Sequence, residues 1–117
     1  MRWNNIGITV AGVAGNPNST NDRLNMPIDI LLDWANNLYI ADGFNNRIQK
    51  YMLNSLAGQT IAGNGTGGLS SSQFNIPTYI SLDDNENLYI TDTNNYRIQY
   101  WPKGVTSGTT IAGVSGM

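Results

Sequence analysis

The sequence predicts an all-β protein made of short antiparallel strands in two successive copies of one unit. Three observations carry that expectation. The chain writes NNLYIADGFNNRIQKY from Asn36 and returns to ENLYITDTNNYRIQYW from Glu86. Apolar residues alternate with polar ones or cluster briefly between turns rich in Asn, Asp and Gly, which is strand-and-turn patterning. No stretch holds apolar spacing of three and four for as long as a helix needs.

Laid over itself at an offset of 50, the chain matches from Leu24 onward. LNMP ending at Pro27 lies on FNIP ending at Pro77, and Ile30, Leu32 and Asp33 lie on Ile80, Leu82 and Asp83. Leu38, Tyr39, Ile40 and Asp42 lie on Leu88, Tyr89, Ile90 and Asp92. Arg47-Ile48-Gln49 lies on Arg97-Ile98-Gln99, and Thr60-Ile61-Ala62-Gly63 on Thr110-Ile111-Ala112-Gly113. TVAG at residues 9–12 is a third copy of the last element, at offset 51.

Each element has a local reason. After Pro27, Ile28, Ile30 and Leu32 alternate with Asp29, Leu31 and Asp33, the period of a strand. DWANN, and DDNEN in the second copy, is dense in residues whose side chains bond the backbone of a turn. Residues 38–41 are apolar and aromatic, as a strand favours. DGFNN, or DTNNY, turns the chain into a third strand at 47–51 and 97–101. A glycine-containing loop leads to the fourth, at 59–62 and 109–112, and a further strand is expected at 7–10.

Four-stranded antiparallel units repeating every 40 to 50 residues or so are the blades of a β-propeller. A β-sandwich also uses short strands but has no reason to repeat its sequence. The expected organisation is the end of a preceding blade at 1–12 and an inter-blade loop at 13–26. Blade 1 follows at 27–63, a second loop at 64–76 and blade 2 at 77–113. The sum is a partial propeller of about two and a half blades. Ile30, Leu32, Leu38, Ile40, Ile48, Ile61 and their partners fifty residues later are the expected core.

Composition narrows the chemistry. Of 117 residues only 12% are charged, the net charge is −2, and polarity rests on 17 Asn, 13 Gly and many Ser and Thr. The six Lys and Arg form no run, so no nucleic-acid partner is expected. The chain has no Cys and no His, which removes thiolate sites, the usual zinc ligand and the Ser-His-Asp triad. No apolar run approaches the roughly 20 residues of a membrane helix. The N-terminus does not read as a signal peptide, having one Arg and no sustained apolar stretch.

The order of words in each copy resembles the NHL repeat family of β-propellers. The carrying residues are Pro27, Leu32-Asp33, the run from Asn37 to Asp42, and Asn46 to Gln49, with the matching set from Pro77 to Gln99. AGNGTGG at 62–68, followed by FNIP, is similar to that family's inter-blade connection. The resemblance implies the propeller fold and a range of roles: interaction modules, RNA-binding propellers and a zinc lyase. The zinc lyase needs His ligands, absent here, and the RNA binders use a basic face where this chain is slightly acidic.

Several residues invite a functional reading. Asp42 and Asp92 could line a channel as metal ligands. A turn role explains better why each copy has one, the carboxylate capping turn N–H groups and Arg47 or Arg97 pairing with it. Asp33, Asp83, Asp84 and Glu86 lack the spacing of a calcium loop and read as solvated turns. Tyr39, Tyr89, Tyr51, Tyr100 and Trp101 read as packing between sheets. GNGTGG lacks the Lys-Ser/Thr of a phosphate cradle. Trp34 and Phe44 stand in turns of one copy only, which makes them the candidates for contact with a partner.

The function expected is a non-catalytic scaffold that binds a protein or other macromolecule through its loops, with no metal or cofactor. The alternative is a propeller lyase or lactonase with a divalent cation held by channel Asp residues; an RNA-binding propeller is disfavoured by charge. Two blades leave apolar faces bare, so a homo-oligomer or a longer propeller is expected.

Overall fold

A computed structural model of the chain describes residues 7–114. Eight strands form where the alternation puts them. In the first copy they are β1 (Pro27–Leu32), β2 (Leu38–Asp42), β3 (Arg47–Tyr51) and β4 (Gln59–Ala62). In the second they are β5 (Pro77–Leu82), β6 (Leu88–Asp92), β7 (Arg97–Trp101) and β8 (Thr109–Gly113). Each set is one antiparallel sheet in simple order, β1-β2-β3-β4 and β5-β6-β7-β8. The fold is all-β, with helix among the described residues limited to one 3₁₀ turn after β2, Gly43–Asn45, and one after β6, Thr93–Asn95. Among the described residues no helix is long and apolar enough to cross a membrane.

Registers repeat along with the sequence. Ile40 faces Ile30 and Gln49, and Ile90 faces Ile80 and Gln99. The first strand of each sheet has an irregularity just after its proline, between Pro27 and Asp29 and between Pro77 and Tyr79. Proline offers no N–H to a ladder, so it suits the start of a strand.

The sheets pack against each other through one apolar cluster. Sheet 1 contributes Tyr39, Ala41, Ile48 and Ala62, and sheet 2 contributes Ile80, Leu88, Ile90 and Trp101. Phe74, from the connection between them, is fully buried and lies tilted against Trp101 with centroids 5.2 Å apart. Polar contacts fix the register of the joint. Asp29 Oδ2 accepts from the Ile80 N–H at 3.0 Å, and Asn46 Oδ1 from the Ile76 N–H at 2.9 Å. Lys50 Nζ stands 4.0 Å from Glu86 Oε1.

The core differs from expectation in an orderly way. Ile40, Ile48, Leu88 and Ile90 are buried, but Ile30 and Leu32 are exposed, and so is Ile111. Ile80, in the place of Ile30, is 8% exposed where Ile30 is 63%. The difference is the neighbour. Ile80 points at sheet 1, whereas Ile30 is on the face that sheet 1 turns away from sheet 2. The strand expected at 7–10 is also corrected: residues 7–10 form no strand, and residues 1–6 lie outside the described ones. A strand exists only with a ladder partner, and none is paired to this segment.

Candidate functional site

The two turns of greatest interest, 33–37 and 83–87, are built by one device. Asp33 Oδ1 accepts from the N–H groups of Ala35 and Asn37, both at 2.9 Å. Its Oδ2 accepts from Asn37 Nδ2 and the Tyr39 hydroxyl, both at 3.1 Å. Asp83 repeats the set with Asn85, Asn87 and Tyr89. Burial acts to raise the Asp33 pKa, but the hydrogen bonds from Asn37, Tyr39 and Ala35 outweigh it, and the carboxyl lies below its ordinary value. For Asp83 the Asn87 N–H is the largest influence, and the net direction is again downward. Both turns therefore carry fixed negative charge at neutral pH. Burial first, and then the bond to Asp33, push the Tyr39 phenol far above its usual range.

Because the sheets stack, the turns lie side by side and enclose an open groove of about 700 Å³. Leu32 and Leu82 line it together with Trp34, Asp83, Asp84 and Glu86. Trp34 is 98% exposed. Asp84 is exposed, and Glu86 is held by an ion pair with Lys103. The lining brings together an aromatic side chain, two leucines and several carboxylates. Phe44 does not join it. It lies in the turn after β2, while Trp34 lies in the turn before, so the five-residue strand separates them by roughly 17 Å.

Asp42 and Arg47 are internal. Both are buried, and Arg47 Nε lies 2.8 Å from Asp42 Oδ2. Asp42 does not cap its own turn, as the sequence reading had it; the 3₁₀ turn has no side-chain cap. Instead Asp42 Oδ1 accepts from the Asn25 N–H at 2.8 Å. Arg47 donates to the carbonyls of Ser19, Thr20 and Arg23. The carboxylate and guanidinium thus tie segment 13–26 across sheet 1, because a loop carries backbone groups that need partners once covered. Asp92 and Arg97 do the same for segment 64–76, through the Asn75 N–H and the carbonyls of Leu69, Ser70 and Gln73.

Asn45 and Asn95 were missed by sequence reasoning. Each is buried and donates from Nδ2 both to the Asp of its own copy and to a loop carbonyl, that of Asn18 or Gly68. Their recurrence at offset 50 was the available signal. The groove itself was missed too, although two equal turns on stacked sheets must stand next to each other. Among the described residues no three carboxylate-bearing side chains come together in a way that could hold a metal ion. In comparison with known proteins, the chain matches no protein-family model and no curated protein.

Proposed function

We propose that this chain is part of an NHL-type β-propeller that serves as a non-catalytic scaffold, and that it binds a protein segment in the groove between turns 33–37 and 83–87. The single observation that carries the binding reading is Trp34. A side chain of this size left 98% exposed, among the residues that line the groove, offers a large rigid contact surface at low cost in conformational entropy. The walls select the partner. Asp84 is free of the turn's own hydrogen bonds, and Asp83 remains ionised, so a basic segment with an aliphatic or aromatic anchor is the complement. The propeller reading is supported by two four-stranded sheets in equal register and by the word order of the repeat.

The test uses fluorescence anisotropy of an array of dye-labelled Lys- and Arg-containing peptides carrying one aliphatic anchor. A peptide whose anisotropy rises saturably with protein, loses affinity with Trp34→Ala or Asp84→Lys, and weakens with salt supports the reading. Equal binding to the variants, or binding of single-stranded RNA in preference to every peptide, overturns it.

A further inference from the structure

The described chain carries nearly the same sequence at both ends. Residues 7–13 read GITVAGV and residues 108–114 read GTTIAGV, differing only at Ile8 against Thr109 and Val10 against Ile111. The second contains β8, whose residues are all exposed and which is paired to β7. The first holds the repeat position of a fourth strand, and among the described residues no strand pairs with it. Gly12 has φ +82°, beside +81° at Gly63 and +85° at Gly113. A Cβ at Gly12 would sit 3.4 Å from Leu24 Cδ1, as one at Gly63 would sit 2.8 Å from Phe74 Cδ2. Leu24 and Phe74 are the same position of the repeat.

The outer faces match in the same sense. Sheet 1 exposes Pro27, Ile30 and Leu32 on the face turned away from sheet 2. Sheet 2 exposes Tyr79 and Ala112 on its far face, with Ile98 and Tyr100 half-buried. A hollow of about 260 Å³ beside Gly113, lined by Tyr96, Ile98 and Ala112, stands at the repeat position that Phe74 fills beside Gly63. Asp29, Asn46 and Lys50, which reach from sheet 1 to sheet 2, are replaced at the same positions of sheet 2 by Tyr79, Tyr96 and Tyr100. Closing this face on an apolar one therefore leaves no unpaired charge buried.

We propose that the chain associates head to tail with a second copy of itself, segment 7–12 of one copy pairing with β7 of the other in place of β8. The exchange replaces one ladder with nearly the same ladder, so it costs little. The gain comes from burying the two apolar faces against each other, as sheets 1 and 2 already do within the chain. The two surfaces of such a joint differ, so further copies add until the assembly closes.

Because the chain has no cysteine, the joint can be trapped cleanly. Ala112 faces Ile98 across the β7–β8 ladder, and Ala11 holds the Ala112 position at the other end of the chain. Facing residues of an antiparallel ladder lie about 4.5 to 5.5 Å apart at Cα, within reach of a disulfide. Two single variants, Ala11→Cys and Ile98→Cys, are oxidised alone and mixed, after circular dichroism has verified their folds. The expected result is a disulfide-linked dimer on mixing and none from either alone. Ile30→Arg placed in the Ala11→Cys chain abolishes it, whereas Ile30→Arg in the Ile98→Cys chain leaves it intact. Ile30 is exposed in the single chain, so the arginine does not disturb the fold. Light scattering of the unmodified protein should show a mass that rises with concentration. A constant mass of one chain, absence of the mixed dimer, or a dimer indifferent to which chain carries the arginine overturns the proposal.

Discussion

Asp42 and Arg47 show how a charged pair can serve the chain instead of a ligand. Both are buried; beyond the ion pair Asp42 accepts from the Asn25 N–H and Asn45 Nδ2, and Arg47 donates to backbone carbonyls of segment 13–26. Replacing both by apolar groups need not be costly, but removing one leaves an ion without its counter-charge in a dry site. Arg47→Ala also strands the carbonyls of Ser19, Thr20 and Arg23. We expect it to lower stability by about 3–5 kcal/mol, with a similar loss for Arg97→Ala, measured by urea denaturation at neutral pH. A loss within the scatter of surface substitutions would mean that water reaches the pair.

At the scale of the element, the turns 33–37 and 83–87 contribute to the acid sensitivity of the fold. The carboxyl pKa values of Asp33 and Asp83 are lowered in the folded state. A group whose folded pKa lies below its unfolded value contributes stability that is fully present above the unfolded value, about 3.9 for Asp. That contribution is lost as pH falls through the lower folded pKa. The chain has no His, so no side chain of ordinary pKa titrates in the physiological range. Thermal midpoints should therefore stay level between about pH 5 and 8 and fall below about pH 4. Asp33→Asn combined with Asp83→Asn should flatten that fall. A midpoint that moves through the neutral range would show that another group governs it.

At the scale of the whole molecule, stacking decides what a repeat position is worth. Ile30 and Ile80 share residue type, strand position and cross-strand partner, yet one is exposed and the other buried. Ile80→Ala removes atoms from the joint between sheets and should cost about 2–5 kcal/mol. Ile30→Ala, in dilute solution, should cost no more than about 0.5 kcal/mol. Equal losses in equilibrium unfolding would mean that both faces are covered in solution. Tyr39 and Tyr89 make the same contrast from the opposite face, Tyr39 buried by sheet 2 and Tyr89 only half so.

The sequence by itself determined the eight paired strands and their order along the chain. A strand depends on period-two alternation and on turn residues close by in the chain, and Asp33, Asn37, Asp42 and Arg47 announced their structural work by returning fifty residues later. Repetition could not tell inside from outside. It made Ile30 equal to Ile80 and residues 7–10 equal to a strand, because a pattern records which face is apolar and not whether anything covers it. Nor could it measure space across the molecule. Trp34 and Phe44 looked alike as aromatic residues in turns, and only the course of β2 put them at opposite ends of the sheet. Asp83, Asp84 and Glu86 read as a solvated turn until the second sheet stacked on the first and made them the wall of a groove. Those outcomes belong to tertiary structure, because burial and proximity between sheets are set by contacts far apart along the chain, where local propensity has no reach.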